Sequence, residues 1–303
     1  MDVNGISVII PHHGVAEPTL RLIELLHRQS NAPELQIIVS DDASPEPFPE
    51  GDGYEVERCE SNGGFGSAVN RGVTAARHGY LLVLNSDVEP GPCFVDEFLA
   101  RARPWLPAVV APPVDEPWGE RCVERTWPTI HGVCVEHLVP LARFHGRDWM
   151  TRAIGHDTRS WRAAGPHAVD WAVGVCLLLP TEDFRAVGGF DERFFMNCEE
   201  IDLQRRLRDE RGLRSVVLDS PRLPHVGGAS SPSHKRAGWL MDSRFAYEEK
   251  WGDAARLYLA LHLVFGVNAL WGTIRRAGGR PAEPRRVWKT QLDLLRHAWT
   301  ARR

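Results

Sequence analysis

Four groups of side chains in this sequence could do chemistry on a charged, hydroxylated substrate. The first is Asn85-Ser86-Asp87, where the apolar run Leu81-Leu82-Val83-Leu84 stops in three polar residues and Glu89-Pro90-Gly91-Pro92 turns the chain. A run of that length bounded by turn residues reads as a core strand. In an open α/β sheet, ligands sit off the carboxyl ends of the strands, so Asp87 stands where a metal or phosphate site is expected. Asn, Ser and Asp also favour ordinary turns, and a plain strand-to-turn junction is the competing reading. The second group is Glu199-Glu200, which opens a helical pattern stopping at Gly212. Glu200 shares a stripe with Leu203 and Leu207 and should face the protein, with Glu199, Asp202 and Arg206 on the neighbouring face. Acids at a helix N-terminus complement its dipole, which accounts for Glu199 and Asp202 but not for an acid on the core stripe. A carboxylate held against an apolar wall near other acids has its pKa raised, as a general base working near neutrality requires. The third is His225, either a satisfied structural histidine or a neutral imidazole beside a carboxylate-bound divalent ion. The fourth comprises two further strand ends, Pro11-His12-His13 and Asp41-Asp42.

Those groups need a scaffold that brings them to one edge. Ile6 to Ile10 reads as a strand, Pro18-Thr19 opens a helix with Leu22, Leu25 and Leu26 at helical spacing, and Leu35 to Ser40 reads as a second strand. Tyr54 to Glu60 alternates weakly, as a short third strand would. Asn62-Gly63-Gly64-Phe65-Gly66 then enters a helix whose inner face is Phe65, Ala68/Val69, Gly72/Val73 and Ala76. Such a turn can offer free N–H groups to a phosphate, or it can simply let the helix pack closely; both readings stand. It is neither the dinucleotide fingerprint nor a P-loop. Strand, helix, strand, short strand, helix and strand over about ninety residues predict a mostly parallel sheet with right-handed crossovers. Residues 112–168 are rich in Pro, Trp, His and Arg without a sustained period and read as a binding loop or lid. Ala172 to Leu179 resumes strand character, with Gly174 marking a close approach of ligand or backbone. Ser215 to Asp219 is a further strand.

The chain of 303 residues has a net charge of −4. From Arg275 to Arg303 nine Lys/Arg stand against Glu283 and Asp293, giving +7, so residues 1–274 carry −11. A basic tail on an acidic body points to an anionic partner, membrane or nucleic acid. Leu257 to Ile274 is apolar and about the minimum length for a bilayer span, and Val287 to Trp299 has the composition of an interfacial helix. Helices docking on the body with a solvated basic face are the alternative. Six cysteines without a C-x-x-C pair, and an N-terminus without a basic leader, fit reduced thiols in a cytoplasmic protein.

Taken in order, SVIIP near the start, DDAS at 41–44, NGGFGSAVNRG at 62–72, LNSDV at 84–88, VGGFDERFFMNCEEIDL at 187–203 and HVGGAS at 225–230 make the chain resemble family 2 glycosyltransferases of the GT-A type. The rhamnosyltransferase-like branch, which extends lipid-linked or cell-wall glycans, is the most similar. The resemblance implies an α/β fold, a GT-A (Rossmann-like) mostly parallel sheet flanked by helices. Its domain would span 1–254, with a nucleotide-sugar half at 1–111 and an acceptor half at 112–254, followed by a helical basic tail at 255–303. It implies transfer from a nucleotide diphosphate sugar, dTDP- or UDP-linked and with L-rhamnose as the first expectation, to a glycan or polyprenyl-linked acceptor. Pro11, His12, Asp41, Asp42, Asn62, Gly63, Gly64, Gly66, Asn70, Asn85, Ser86 and Asp87 map to donor binding. Asp87 and His225 map to a divalent metal site for Mn²⁺ or Mg²⁺. Glu200 maps to the base of an inverting displacement, with Glu199 beside it, and Trp171, Gly174 and Asp202 are the expected acceptor contacts. The motif leaves Asp87 as its only carboxylate, and Glu200 stands where the family has the shorter Asp. A catalytically silent sugar-nucleotide-binding or assembly module is the alternative from another class. With the resemblance, the tail's expected partner is the anionic inner face of the cell membrane and not nucleic acid.

Overall fold

The structure, a computed structural model, describes residues 5–117, 119–121, 123–162, 164–226 and 233–301. Trp118, Cys122 and residues 227–230 of the HVGGAS motif lie outside the described residues. The chain begins with β1 (Gly5–His12), α1 (Glu17–His27), β2 (Glu34–Asp41), β3 (Glu55–Arg58), α2 (Phe65–Val73), β4 (Tyr80–Leu84) and α3 (Phe94–Ala102). It continues with β5 (Val109–Ala111), β6 (Val114–Glu116), β7 (Gly119–Arg121), β8 (Glu124–Arg125), α4 (Ile130–His137), α5 (Asp148–Ala153) and α6 (Thr158–Trp161). Then come β9 (His167–Val169), β10 (Trp171–Ala172), β11 (Cys176–Pro180), α7 (Thr181–Ala186), α8 (Glu199–Arg211), β12 (Ser215–Val217) and β13 (Leu223–Pro224). Three helices close it: α9 (Ser233–Trp251), α10 (Ala254–Ala277) and α11 (Pro284–Ala301).

Contacts divide the chain into two units, residues 1–125 with 159–231 and residues 126–158 with 232–303. The expected boundary at 254/255 is therefore not where contacts thin. α4, from the stretch expected to be a loop or lid, packs with α10 in the second unit, and Asn268 of α10 holds the backbone of His137 and Val139. Its period is hidden because α4 is short and carries Gly132, Val133 and Val135, all weak helix formers. Thr129 caps it through Gly132 N–H.

The first unit holds an eight-stranded sheet in the order β3-β2-β1-β4-β11-β5-β12-β9. β1 pairs parallel with both β2 and β4, while β11 and β9 run against their neighbours. Ile6, Val8, Ile9 and Ile10 of β1 are fully buried, as a parallel strand covered by helices on both faces must be. Strand order reverses between β1 and β4, so the crevice expected at a switch point opens beside His13 and Asn85-Ser86-Asp87. The single strand expected over 172–179 is broken at Val173-Gly174-Val175. β10 pairs with β8, β11 with β4, and the turn between them is where α8 approaches.

The glycine turn resolves in favour of packing. A Cβ on Gly72 would meet Ile9 Cγ2 at 2.8 Å, and one on Gly66 would meet Phe190 Cβ at 2.9 Å. Gly64 has φ +87°, and its Cβ would land on the Phe195 carbonyl oxygen. Strain from the positive φ and the clash with fixed backbone add, so Gly64→Ala is expected to cost about 2–4 kcal/mol in a urea-unfolding measurement.

Candidate active site

Asp87 and His225 meet because backbone pairing leaves them no choice. β13 runs parallel to β6, His225 N–H donates to Asp115 O at 2.8 Å, and Val226 N–H donates to Asp87 O at 2.9 Å. A bridge between Val88 and His225 completes this small ladder at the carboxyl end of β4. His225 Nε2 lies 3.1 Å from Asp87 Oδ1, and its Nδ1 lies 3.4 Å from Glu116 Oε1. The His225 side chain is 7% exposed, Asp87 14% and Glu116 9%. Glu116 is not legible as a site residue, since nothing near it in sequence marks it; only the β6–β13 pairing brings it under His225. One imidazole between two acceptor-only carboxylates concentrates negative charge in a half-dry place, which a divalent cation would neutralise. Among the described residues, no group of three or more His, Cys, Asp and Glu is arranged to hold an ion unaided. Asp87 and His225 could serve as two protein ligands for a divalent ion whose other positions are filled by substrate phosphates and water.

The acidic pair of α8 reaches the same edge from the other side of β4. Asn85 N–H donates to Val175 O at 3.0 Å, and the adjacent Gly174 is so close to α8 that a Cβ there would lie 3.3 Å from Glu200 Cβ. Gly174 thus marks a close approach, and what approaches is the Glu200 side chain. α8 is entered through two consecutive left-handed non-glycine residues, Asn197 at φ 72° and Cys198 at φ 66°. Such backbone strain persists only where surroundings over-determine it, and here it sets the direction in which the two glutamates leave the helix. Gln204 pins the helix: its Nε2 donates to Ala172 O and Glu200 O, and its Oε1 accepts from Ala172 N–H and Ser215 Oγ–H.

Which acid is buried differs from expectation. Glu199 and Asp202 are buried, whereas Glu200 is only partly so. α8 is enclosed around most of its circumference, so the expected polar neighbouring face is also interior. Burial, and then the neighbouring Glu200 charge, push the Glu199 carboxyl well above its usual range, and Glu199 Oε2 has no hydrogen-bond partner. Glu200, part-exposed at the Gly174 turn, is the one placed to reach a ligand.

Asp202 is not an acceptor contact. It is fully buried and accepts from Arg206 Nε at 2.8 Å, while that guanidinium donates to Val187 O and Gly189 O and so fixes the turn before α8. Breaking a buried pair strands a charge, so Asp202→Asn is expected to cost roughly 3–5 kcal/mol of unfolding free energy. The KM for acceptor of the protein that remains folded should not change.

Several residues expected to bind donor are engaged within the fold. Asp41 is fully buried and accepts from Ser44 N–H, Phe48 N–H and Arg58. Burial would raise its pKa, but hydrogen bonds from Ser44 and Phe48 and the charge of Arg58 outweigh it and hold the carboxyl below its usual range. Asp42 takes the N–H groups of Gly63 and Gly64 at 2.9 and 2.8 Å, so those donors are committed to a carboxylate of the chain itself and not to a phosphate. Burial leaves Asp42 above its usual pKa despite these bonds. Asn70 clamps Phe190, accepting from its N–H and donating to its carbonyl at 2.8 and 2.9 Å. His12 turns inward against Phe48 and pairs with Thr19, and burial lowers its pKa. At the crevice itself stand Asn62 and His13, with Asn62 Nδ2 3.2 Å from both ring nitrogens and His13 Nδ1 donating to Asp42 O. Pro11, Asn85 and Ser86 are half-buried at the same strand ends. Trp171, also half-buried, pairs across β10–β8 with Arg125, whose guanidinium carbon lies 5.9 Å from the ring centroid.

Residues 7–130 match the family model for glycosyl transferase family 2. Residues 7–130 thus form a family 2 glycosyltransferase domain. It is similar to the N-acetylglucosaminyl-diphospho-decaprenol L-rhamnosyltransferase of Mycobacterium tuberculosis, with 34% identity over 179 residues, 54% of this chain and 56% of the relative. It is also similar to rhamnosyltransferase WbbL of Escherichia coli, with 51% identity over 81 residues, 26% of this chain and 30% of that one. The chain thus spans about half or less of the length of these relatives. A crystal structure of GalNAc-T7 with UDP, GalNAc and Mn²⁺ superposes with a TM-score of 0.59 at 13% identity, covering 97% of this chain and 55% of that one. The chain therefore has the expected GT-A-like fold, a mixed and mostly parallel sheet flanked by helices.

Proposed function

We propose that the whole chain is a family 2 glycosyltransferase that moves a sugar, L-rhamnose in the first instance, from a nucleoside diphosphate donor to a lipid-linked glycan by a single inverting displacement. The observation that carries this reading is the continuity of the site. The Asp87–His225 pair, the Asn85–Val175 hydrogen bond and the Gly174–Glu200 contact form a chain of contacts from a candidate metal pair to a candidate base. The names of the relatives support the sugar and the lipid-linked acceptor. The Mn²⁺ of the GalNAc-T7 crystal structure supports a divalent ion.

Glu200 accepts the proton of the acceptor hydroxyl as its oxygen forms a bond to the anomeric carbon. The bond from that carbon to the diphosphate oxygen breaks, and its electron pair leaves with the nucleotide. One displacement without a covalent nucleophile inverts the anomeric configuration, by the geometry that separates inverting from retaining glycosidases. Asp87 and His225 would hold Mn²⁺ or Mg²⁺, which when bound neutralises charge on the departing diphosphate. Glu116 orients His225 from behind, as outer carboxylates do for ligating imidazoles. Glu199, kept neutral by burial, leaves the pair's negative charge on Glu200. A donor screen reading released nucleoside diphosphate, with and without Mn²⁺ and a polyprenyl-linked acceptor, tests the reading. Acceptor-dependent release from a deoxyhexose donor is expected. Metal-dependent binding without turnover on any acceptor would instead indicate a silent binding module.

A further inference from the structure

The second unit carries a helix with two incompatible faces. α10 buries Leu257, Leu261, Val264, Phe265 and Asn268. Asn268 accepts from Val139 N–H and donates to His137 O, both at 2.9 Å. Its other face exposes Leu259 (65%), Leu263 (74%), Val267 (47%), Leu270 (63%) and Ile274 (54%). Spacings of four, four, three and four place these on one line about 22 Å long. A single exposed leucine is ordinary, but a continuous ridge of five marks a contact surface.

Charge identifies what covers it. No residue of α10 is acidic, Arg256 stands at its start, Arg275 and Arg276 lie in its last turn, and Arg280 follows its end. The nearest acid, Asp253, caps the helix by accepting from Arg256 N–H. α11 adds Arg285, Arg286 and Lys289. α10 is long and apolar enough to cross a bilayer by length and composition alone. Its packed face, with a hydrogen-bonded Asn268, is nevertheless committed to α4 and α11, so lipid cannot surround it. Pairing with a second copy along the ridge would oppose the arginine-rich helix ends to each other if parallel, and acid-free helices to each other if antiparallel. An anionic headgroup layer over acyl chains answers both features at once: the ridge sinks at the headgroup boundary and the arginines meet phosphates.

We infer that the ridge of α10 from Leu259 to Ile274 is a docking surface for an anionic phospholipid bilayer, on which the helix lies in plane. The inference deepens the reading above, on which it rests for its purpose, since a lipid-linked acceptor is met at a bilayer surface. The test uses the full chain, pelleted with phosphatidylglycerol–phosphatidylcholine vesicles or with phosphatidylcholine vesicles alone. Binding to the anionic vesicles is expected, weakening as salt screens the arginines. Leu263→Glu with Leu270→Glu should reduce partition roughly tenfold or more, with circular dichroism and melting unchanged because both side chains are exposed. Arg275→Gln with Arg276→Gln should weaken binding less and flatten its salt dependence. No pelleting of the unaltered chain with anionic vesicles, or pelleting indifferent to the ridge substitutions, would overturn the inference. So would a ridge-dependent dimer in sedimentation velocity without vesicle binding. Transfer to a water-soluble acceptor analogue should survive the ridge substitutions. If the unaltered chain shows no such transfer yet binds vesicles, the enzymatic reading fails while the docking surface stands.

Discussion

Glu200→Gln should lower kcat for sugar transfer by about 100- to 10,000-fold, the range for loss of a positioned general base. Glu199→Gln, one residue away, should lower it by less than about tenfold, because a buried carboxyl that holds its proton resembles the amide that replaces it. The contrast follows from burial: Glu199 is 6% exposed with its pKa raised by desolvation first and Glu200 second, whereas Glu200 lies part-exposed against Gly174. Donor affinity should be little changed in both variants, since each substitution keeps the size of the side chain and neither acid hydrogen-bonds to Asp87 or His225. The same shift has a signed consequence for stability. With its pKa raised in the fold, Glu199 keeps a proton that the unfolded chain gives up, so its contribution opposes folding increasingly as pH rises from the ordinary carboxyl range towards the folded value. Denaturant unfolding across pH should show that decline in the unaltered chain and a flatter profile in Glu199→Gln. Equal kinetic losses in the two variants would mean that the acids act as one unit and that their roles are wrongly divided.

Asp87→Ala should reduce transfer roughly 100- to 1,000-fold and abolish its dependence on Mn²⁺, as expected when the charge clamp on a leaving group is lost. Asp87 is the only carboxylate in Asn85-Ser86-Asp87, so no neighbour within the motif can replace it. His225→Ala should weaken Mn²⁺ binding, read by calorimetry in the presence of a nucleoside diphosphate. Glu116→Gln should weaken it about 10- to 100-fold, the usual cost of losing an outer partner. An Asp87→Ala protein that binds nucleoside diphosphate with the same Mn²⁺ dependence as the unaltered chain would remove the metal assignment.

What the sequence discloses and what it conceals divide along physical lines. The strands of the parallel sheet are visible because buried runs such as Ile6 to Ile10 and Leu81 to Leu84 end in unmistakable turn residues. The Asp87–His225 partnership can be expected from motif order, and the ladder through Val88 and Val226 explains why it forms. Side-chain allegiance is harder. Asp41, Asp42, Asn70 and Asp202 have the chemistry of ligand contacts, and each is committed to the chain's own backbone or an arginine. Type and position cannot distinguish a carboxylate that faces substrate from one that caps a glycine turn, because both need the same exposed N–H donors. Glu116 is concealed for the opposite reason, since its role arises from strand pairing across more than a hundred residues. Helical period places α8 from Glu199 to Gly212 with Leu203 and Leu207 inward, but it misjudges which acid is buried because the first turns are enclosed nearly all round. For α10 it leaves two readings open, because an exposed apolar ridge and a buried face together have the composition of a membrane span.

The most direct test of the central claim is the product itself. The purified chain would be incubated with a dTDP-linked L-rhamnose donor, an N-acetylglucosaminyl-diphospho-polyprenol acceptor and Mn²⁺. The lipid product would then be examined by mass spectrometry and its new linkage by NMR. The expected result is a lipid heavier by one deoxyhexose, linked with anomeric configuration opposite to the donor's, formed by the unaltered chain and not by Glu200→Gln. A product of retained configuration, or one formed equally well by Glu200→Gln, would contradict it.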